Sequence, residues 1–167
     1  MILLSILKFE NRTPRSLDAM ILYLTDATKT NSDGIFAIGC NPFSAALEME
    51  FVQRIFFRDR LTHPYLQVIF AFDTEIDLPF SLIRNISIAI GHCLLYDRRQ
   101  LLGVIHFLDK PNMIHCHYLI NFVGIDGSLY RQKYSLLHYK TYINDLLNLH
   151  NLNPIKIKLD DTSYITN

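Results

Sequence analysis

A chain of 167 residues, half of them hydrophobic and rich in Phe and Tyr, has the length of one domain and too much apolar content to be disordered. Sixteen basic residues balance sixteen acidic ones, so there is none of the overall basic excess that usually marks a nucleic-acid binder; such a role would need a local patch or a bound cation. Cys40, Cys93 and Cys116 form no C-x-x-C pair, which excludes a zinc ribbon or dithiol redox motif and suits a reducing cytoplasm, while no apolar run reaches the roughly 18 residues of a membrane span.

The opening MILLSILKF lacks a basic flank and a cleavage site, so a soluble protein without a targeting segment or membrane insertion is expected. Residues 1 to 9 read as a first strand and 11 to 14 as a turn. Ser16 suits an N-cap, and Leu17, Met20, Ile21 and Leu24 recur at helical spacing, predicting a short helix over 16–25 with Tyr23 on its last turn. The polar run from Thr25 to Gly34 is a loop holding Lys29 and Thr30. A short strand at 35–40 stops at Asn41-Pro42, and 43–59 has the apolar spacing of an amphipathic helix.

YLQVIFAF, 65–72, is continuously apolar and predicts an interior strand covered on both faces. Asp77 or Ser81 suits the cap of a helix over 79–97, whose Ile83, Ile86, Ile90 and Leu94 follow the helical period; His92 and Cys93 on it read as packing residues. Strands over 101–108 and 115–123, an Asp126-Gly127 turn and a helix over 135–150 complete the main body. IKIKL after Pro154 predicts an edge strand guarded by lysines. Helices interleaved with strands give an α+β fold, an antiparallel or mixed sheet with helices packed on its faces, as a single domain over 1–167.

The chemistry concentrates between Val104 and Asn121, VIHFLDKPNMIHCHYLIN. In a strand, residues two apart share a face, so His115 and His117 point one way and Cys116 the other. The turn-formers Asp109 to Asn112 fold this strand back on the preceding one, which brings His106 alongside. Three imidazoles on adjacent strands make a facial nitrogen set for a divalent cation with positions left open, and Asp109 is placed to orient one ring from outside. The bland alternative is that these are half-buried strand histidines with one hydrogen bond each.

The spacing H-x(8)-H-x-H with Asn121 beyond it resembles the metal motif of plasmid mobilisation relaxases, a branch of the HUH endonucleases. LDAMILYLTDATKT is similar to the family segment that carries the nucleophilic tyrosine and ends in Lys-Thr, and VGIDGSLYRQKYSLLHYKTYINDLLNLHNLNPI to its turn, Tyr-Arg step and closing helix; the likeness runs from Ser16 to Ile155. It implies an HUH, ferredoxin-like sheet with the histidines on central strands, and a cytoplasmic, metal-dependent DNA nickase of conjugative mobilisation. On this resemblance Tyr23 is the nucleophile that forms a 5′-phosphotyrosine, and His106, His115 and His117 hold a divalent metal, Mg or Mn. Lys29, Arg131 and Lys133 touch DNA, with Arg12 and Arg15 as further phosphate contacts, Tyr130 or Tyr134 stacking on a nucleobase and Asp26 a candidate general base. The partners are single-stranded DNA at a transfer origin and accessory mobilisation proteins. Where the family strand at 65–72 shows a His, a Gln and a Ser, this chain has Gln67, Phe70 and Ala71, which removes a phosphate-binding hydroxyl.

Two other readings stand beside this one. A metal-dependent hydrolase of another kind would use the same histidines with Tyr23 structural. A degenerate, inactive relaxase-like protein that binds DNA or accessory partners would account for the neutral charge and the altered strand. Metal content separates the last from the first two, and a Tyr23-dependent DNA adduct separates those two.

Overall fold

Helix α1 (Leu17–Leu24) starts where the sequence places it, because the Ser16 side chain accepts a hydrogen bond from the Ala19 N–H at 3.2 Å and so satisfies one of the open first-turn donors. The computed structural model describes residues 6–10, 16–56, 61, 64–72, 77–95, 98–110, 113–131 and 135–158. Among these, β1 (Ile6–Glu10), β2 (Ile35–Ile38), β3 (Tyr65–Ala71), β4 (Leu101–His106) and β5 (His115–Asn121) form one sheet in the order β1-β3-β5-β4-β2. Every neighbouring pair is antiparallel, and the histidine-bearing strands β4 and β5 lie inside it, with β5 at the centre. The remaining helices are α2 (Ala45–Ile55), α3 (Phe80–Leu94) and α4 (Leu136–Leu149), and none among the described residues is long and apolar enough to cross a membrane.

Alternation along the strands divides the apolar residues between two cores. One face carries Leu66, Val68 and Phe70 of β3, Leu101 and Ile105 of β4, and Cys116, Tyr118 and Ile120 of β5, all packed with α3 and α4. The other carries Leu102, Val104 and Leu119 against Leu17, Met20 and Leu24 of α1 and Ala45 and Met49 of α2. Helices thus lie on both faces of an antiparallel sheet, the expected α+β architecture.

Gly103 marks the tightest point of the first core. A Cβ there would run into the Phe36 ring, which itself stands edge-on to Tyr118 with centroids 6.3 Å apart. Gly103→Ala is therefore expected to destabilise the fold by about 1–3 kcal/mol through overpacking, measured as a lowered urea midpoint. A midpoint equal to wild type would show that Phe36 moves aside freely.

Several boundaries differ from the sequence reading. Helix α2 begins at Ala45, not 43, because Asn41 Oδ1 accepts from the Phe43 N–H and holds residues 42–44 in a turn. Neither Asp77 nor Ser81 caps α3; Pro79 occupies the N-cap position, its ring fixing φ at −58°. The tail forms no strand over 155–158. Its backbone is taken by α4 instead, with the Ile155 N–H donating to Asn144 Oδ1 at 2.6 Å and Lys140 Nζ donating to the Lys156 carbonyl at 3.2 Å. His92 is exposed on α3, so it is not the packing residue its spacing suggested.

Candidate active site

The β4–β5 register opposes His106 to His115 and Val104 to His117, while on the other side of β5 Ala71 opposes His115 and Ile69 opposes His117. Directly opposed residues share a face. All three imidazoles therefore emerge on the α1/α2 side, at the end of the sheet where the chain turns from β4 into β5. Their ring centroids lie 4.5 Å (His106–His117), 4.8 Å (His115–His117) and 5.1 Å (His106–His115) apart. One nitrogen from each ring falls within 4.8 Å of the others. A cation with nitrogens at about 2.1 Å sets neighbouring ligands about 3 to 3.5 Å apart, so the widest separation must close by about 1.3 to 1.8 Å for the rings to share one ion.

Each ring is oriented by a hydrogen bond outside the cluster. His106 Nε2 lies 2.7 Å from the Leu24 carbonyl, and His115 Nδ1 2.8 Å from the Met113 carbonyl. His117 Nδ1 lies 2.9 Å from the side-chain nitrogen of Gln67. Asp109 bears on His106 through its charge, which favours the imidazolium. His106 and His117 are buried and His115 half-buried.

Burial holds the His106 imidazole below its ordinary value of 6.5, and the nearby His115 and Lys29 act the same way, against the Leu24 hydrogen bond and Asp109. The neutral ring that a metal ligand must be is thus the favoured state. A histidine whose pKa falls on folding withholds protons that the unfolded chain binds. Stability is then complete above pH 6.5 and declines as the pH falls below it, until the folded-state value is passed. Thermal melts of metal-free protein between pH 7.5 and 5.0 are expected to show this decline, and His106→Gln should flatten it; an equal slope in the variant would assign the acid sensitivity elsewhere.

The Leu24 bond joins the cluster to the last turn of α1, whose preceding residue is Tyr23. Tyr23 is 45% exposed, so its side chain reaches the surface. Lys29 Nζ stands 3.4 Å from the centre of the Tyr23 ring and donates to the Tyr23 carbonyl at 3.1 Å. That ammonium meets both the negative face of the ring and the carbonyl end of the helix. The loop carrying it is tied to the end of β4, since the N–H groups of Phe107 and Leu108 both donate to the Lys29 carbonyl. Asp26 in the same loop accepts from the Thr28 hydroxyl and N–H, which hold its carboxyl below the usual range.

Other residues singled out from the sequence lie elsewhere. Arg131 is exposed, but it follows Tyr130, whose N–H donates to the Phe122 carbonyl beyond the far end of β5. At about 3.3 Å per residue, that end is roughly 20 Å from His115. Lys133 lies outside the described residues, as do Arg12, Arg15 and Tyr134. Tyr130 is buried beside Phe122 with the Arg99 guanidinium over its ring, so it packs and does not offer a face to a base. Asn121 is also buried away from the histidines: Gln53 Nε2 donates to its Oδ1, and its Nδ2 donates to Met49 O and Gln100 Oε1.

Sequence reasoning assigned no role to the two groups that orient His106 and His117. The Leu24 carbonyl carries no side-chain signal. Gln67 does: it is a polar residue in an otherwise apolar strand, on the face that register gives to His117. A buried amide in such a place needs a partner.

A family model described as "Relaxase: MobA/VirD2-like, nuclease domain" matches residues 23–152, a span that begins at Tyr23 and includes all three histidines. No curated protein matches the chain.

Proposed function

The chain belongs to the family of MobA/VirD2-like relaxase nuclease domains, and on that premise we propose that it nicks single-stranded DNA at a transfer origin through Tyr23. The observation that carries this reading is the 2.7 Å contact of His106 with the Leu24 carbonyl, which ties the helix turn bearing an exposed phenol to a cluster of three imidazoles. In the proposed reaction the Tyr23 Oη attacks the scissile phosphorus as the bond to the 3′-oxygen breaks. A 5′-phosphotyrosine forms, and the phenolic proton ends on the departing 3′-hydroxyl. Attack by that hydroxyl on the same phosphorus rejoins the strand and frees the phenol.

The donor set supports a divalent cation, since two of the three rings are buried and burial keeps His106 neutral. When bound by His106, His115 and His117, the ion, Mg or Mn, would supply positive charge to the non-bridging phosphate oxygens. Lys29 adds a fixed cation beside the phenol and neutralises an adjacent phosphate. Asp109 sits at the exposed mouth and raises the basicity of His106. Arg131 and Lys133 serve nucleotides farther along the strand. The 167 residues act as one nuclease domain in the cytoplasm, in plasmid conjugation or mobilisation and with accessory mobilisation proteins; the three free cysteines fit that compartment.

His115 offers the cleanest test, because it is the least buried ligand and its loss strains the fold least. His115→Ala is expected to lose stoichiometric Mn after dialysis and to lose nicking of a single-stranded oligonucleotide together. Full metal content in the variant would overturn the ligand assignment. A second reading, DNA binding without cleavage, draws on Ala71, which stands opposite His115 where a hydroxyl would reach a phosphate, and on the zero net charge. Absence of any covalent adduct in the metal-loaded wild type would favour it.

A further inference from the structure

The three rings are not held alike. A carbonyl oxygen only accepts, so the nitrogens facing Leu24 and Met113, Nε2 of His106 and Nδ1 of His115, must carry their protons. That leaves a lone pair on the opposite nitrogen of each ring, ready for a cation. His117 faces an amide instead, and an amide can donate or accept. Its Nδ1 is 2.9 Å from Gln67 Nε2, a donor, so the Nδ1 lone pair is consumed and the proton sits on Nε2. In that state His117 has no lone pair for a metal. Gln67 is only 4% exposed and His117 7%, so bulk water does not exchange freely into the contact.

From this asymmetry we propose that Gln67 is the positioning residue that selects the tautomer of His117, and that its terminal amide turns over by 180° when the cluster takes up a divalent cation. The inference rests on the metal reading of the three histidines. After the turn, Gln67 Oε1 accepts from Nδ1–H and the Nε2 lone pair is released to the ion. The proton count is unchanged: Nε2 gives up one hydrogen and Nδ1 takes one, in slow exchange with water while the amide turns. A ligand that must first be rearranged costs affinity relative to one held ready. The Gln67 amide, a neutral orienter where a carboxylate would always accept, therefore sets how tightly this site holds its ion.

The test follows the imidazole nitrogens directly. Long-range proton–nitrogen spectra of ¹⁵N-labelled, metal-free protein should show His117 protonated at Nε2, and addition of Zn²⁺ should move that proton to Nδ1. Gln67→Glu, whose carboxylate only accepts, should show the Nδ1–H tautomer before any ion is added and bind Mn²⁺ about tenfold more tightly by calorimetry. Gln67→Leu should weaken Mn²⁺ binding by about 10- to 100-fold; if it fails to fold, the near-isosteric Glu variant carries the test. An Nδ1–H tautomer in metal-free wild type, or Mn²⁺ affinities unchanged in the variants, overturns the role of Gln67 alone. Wild-type protein that binds neither ion overturns the three-histidine metal reading itself, and the inversion with it.

Discussion

Tyr23→Phe is expected to abolish the covalent protein–DNA adduct and to lower nicking by on the order of 10⁴-fold or more, the scale seen when a nucleophile is removed from an otherwise intact site. The change deletes one oxygen from a residue that is 45% exposed, so little packing is lost. The phenyl ring still offers its face to Lys29, and the main-chain carbonyl that Lys29 also holds is untouched. Mn²⁺ binding should stay at the wild-type level, because the contact this turn makes with His106, through the Leu24 carbonyl, is left intact. The measurement is a denaturing gel of protein incubated with a labelled single-stranded oligonucleotide. A shifted band that persists in the variant would move the nucleophile to another residue.

Asn121→Ala should act on stability, even though Asn121 ends the strand that begins with two of the histidines. Its amide is wholly buried and makes four hydrogen bonds, from the Gln53 side chain and the Val123 N–H to Oδ1, and from Nδ2 to Met49 O and Gln100 Oε1. Truncation leaves those partners unsatisfied in a site water does not reach, at about 3 kcal/mol in all. For a chain of this size the expected fall in Tm is about 6–12 °C. At a temperature where the variant is folded, its Mn²⁺ affinity and nicking rate should match wild type, since roughly 20 Å of strand separates it from His115. Lost nicking with an unchanged Tm would instead place Asn121 in the chemistry.

Most of the architecture was legible because apolar periodicity is a local property. The alternation of Leu102, Val104 and Leu119 on one face against Ile105, Cys116 and Tyr118 on the other needs no knowledge of the partner helices. The convergence of His106, His115 and His117 was readable for the same reason, as a two-residue repeat followed by a turn. Helix ends were harder to read. Pro79 starts α3 by its fixed φ, not by a capping side chain, and the IKIKL tail lost its strand to Asn144 and Lys140, partners set by α4 packing. Tyr130 shows the same limit: its burial beside Phe122 depends on a β-bridge between Val123 and Leu129 that no motif announces. The orientation of the imidazoles was unreadable in principle for His106, because its partner is a main-chain oxygen 82 residues away.

The contact between His106 and Leu24 also fixes how α1 is turned about its own axis. Successive residues of a helix project about 100° apart. Leu24 is fully buried, whereas Leu22 is 72% exposed. A side chain moved by a single step would point into the hydrophobic interior at 24 or farther out into solvent at 22. On the role proposed for Tyr23, writing tyrosine at 22 or 24 in Tyr23→Leu is expected to leave nicking lost, which makes the address of this residue a matter of angular registry and not of proximity in the chain.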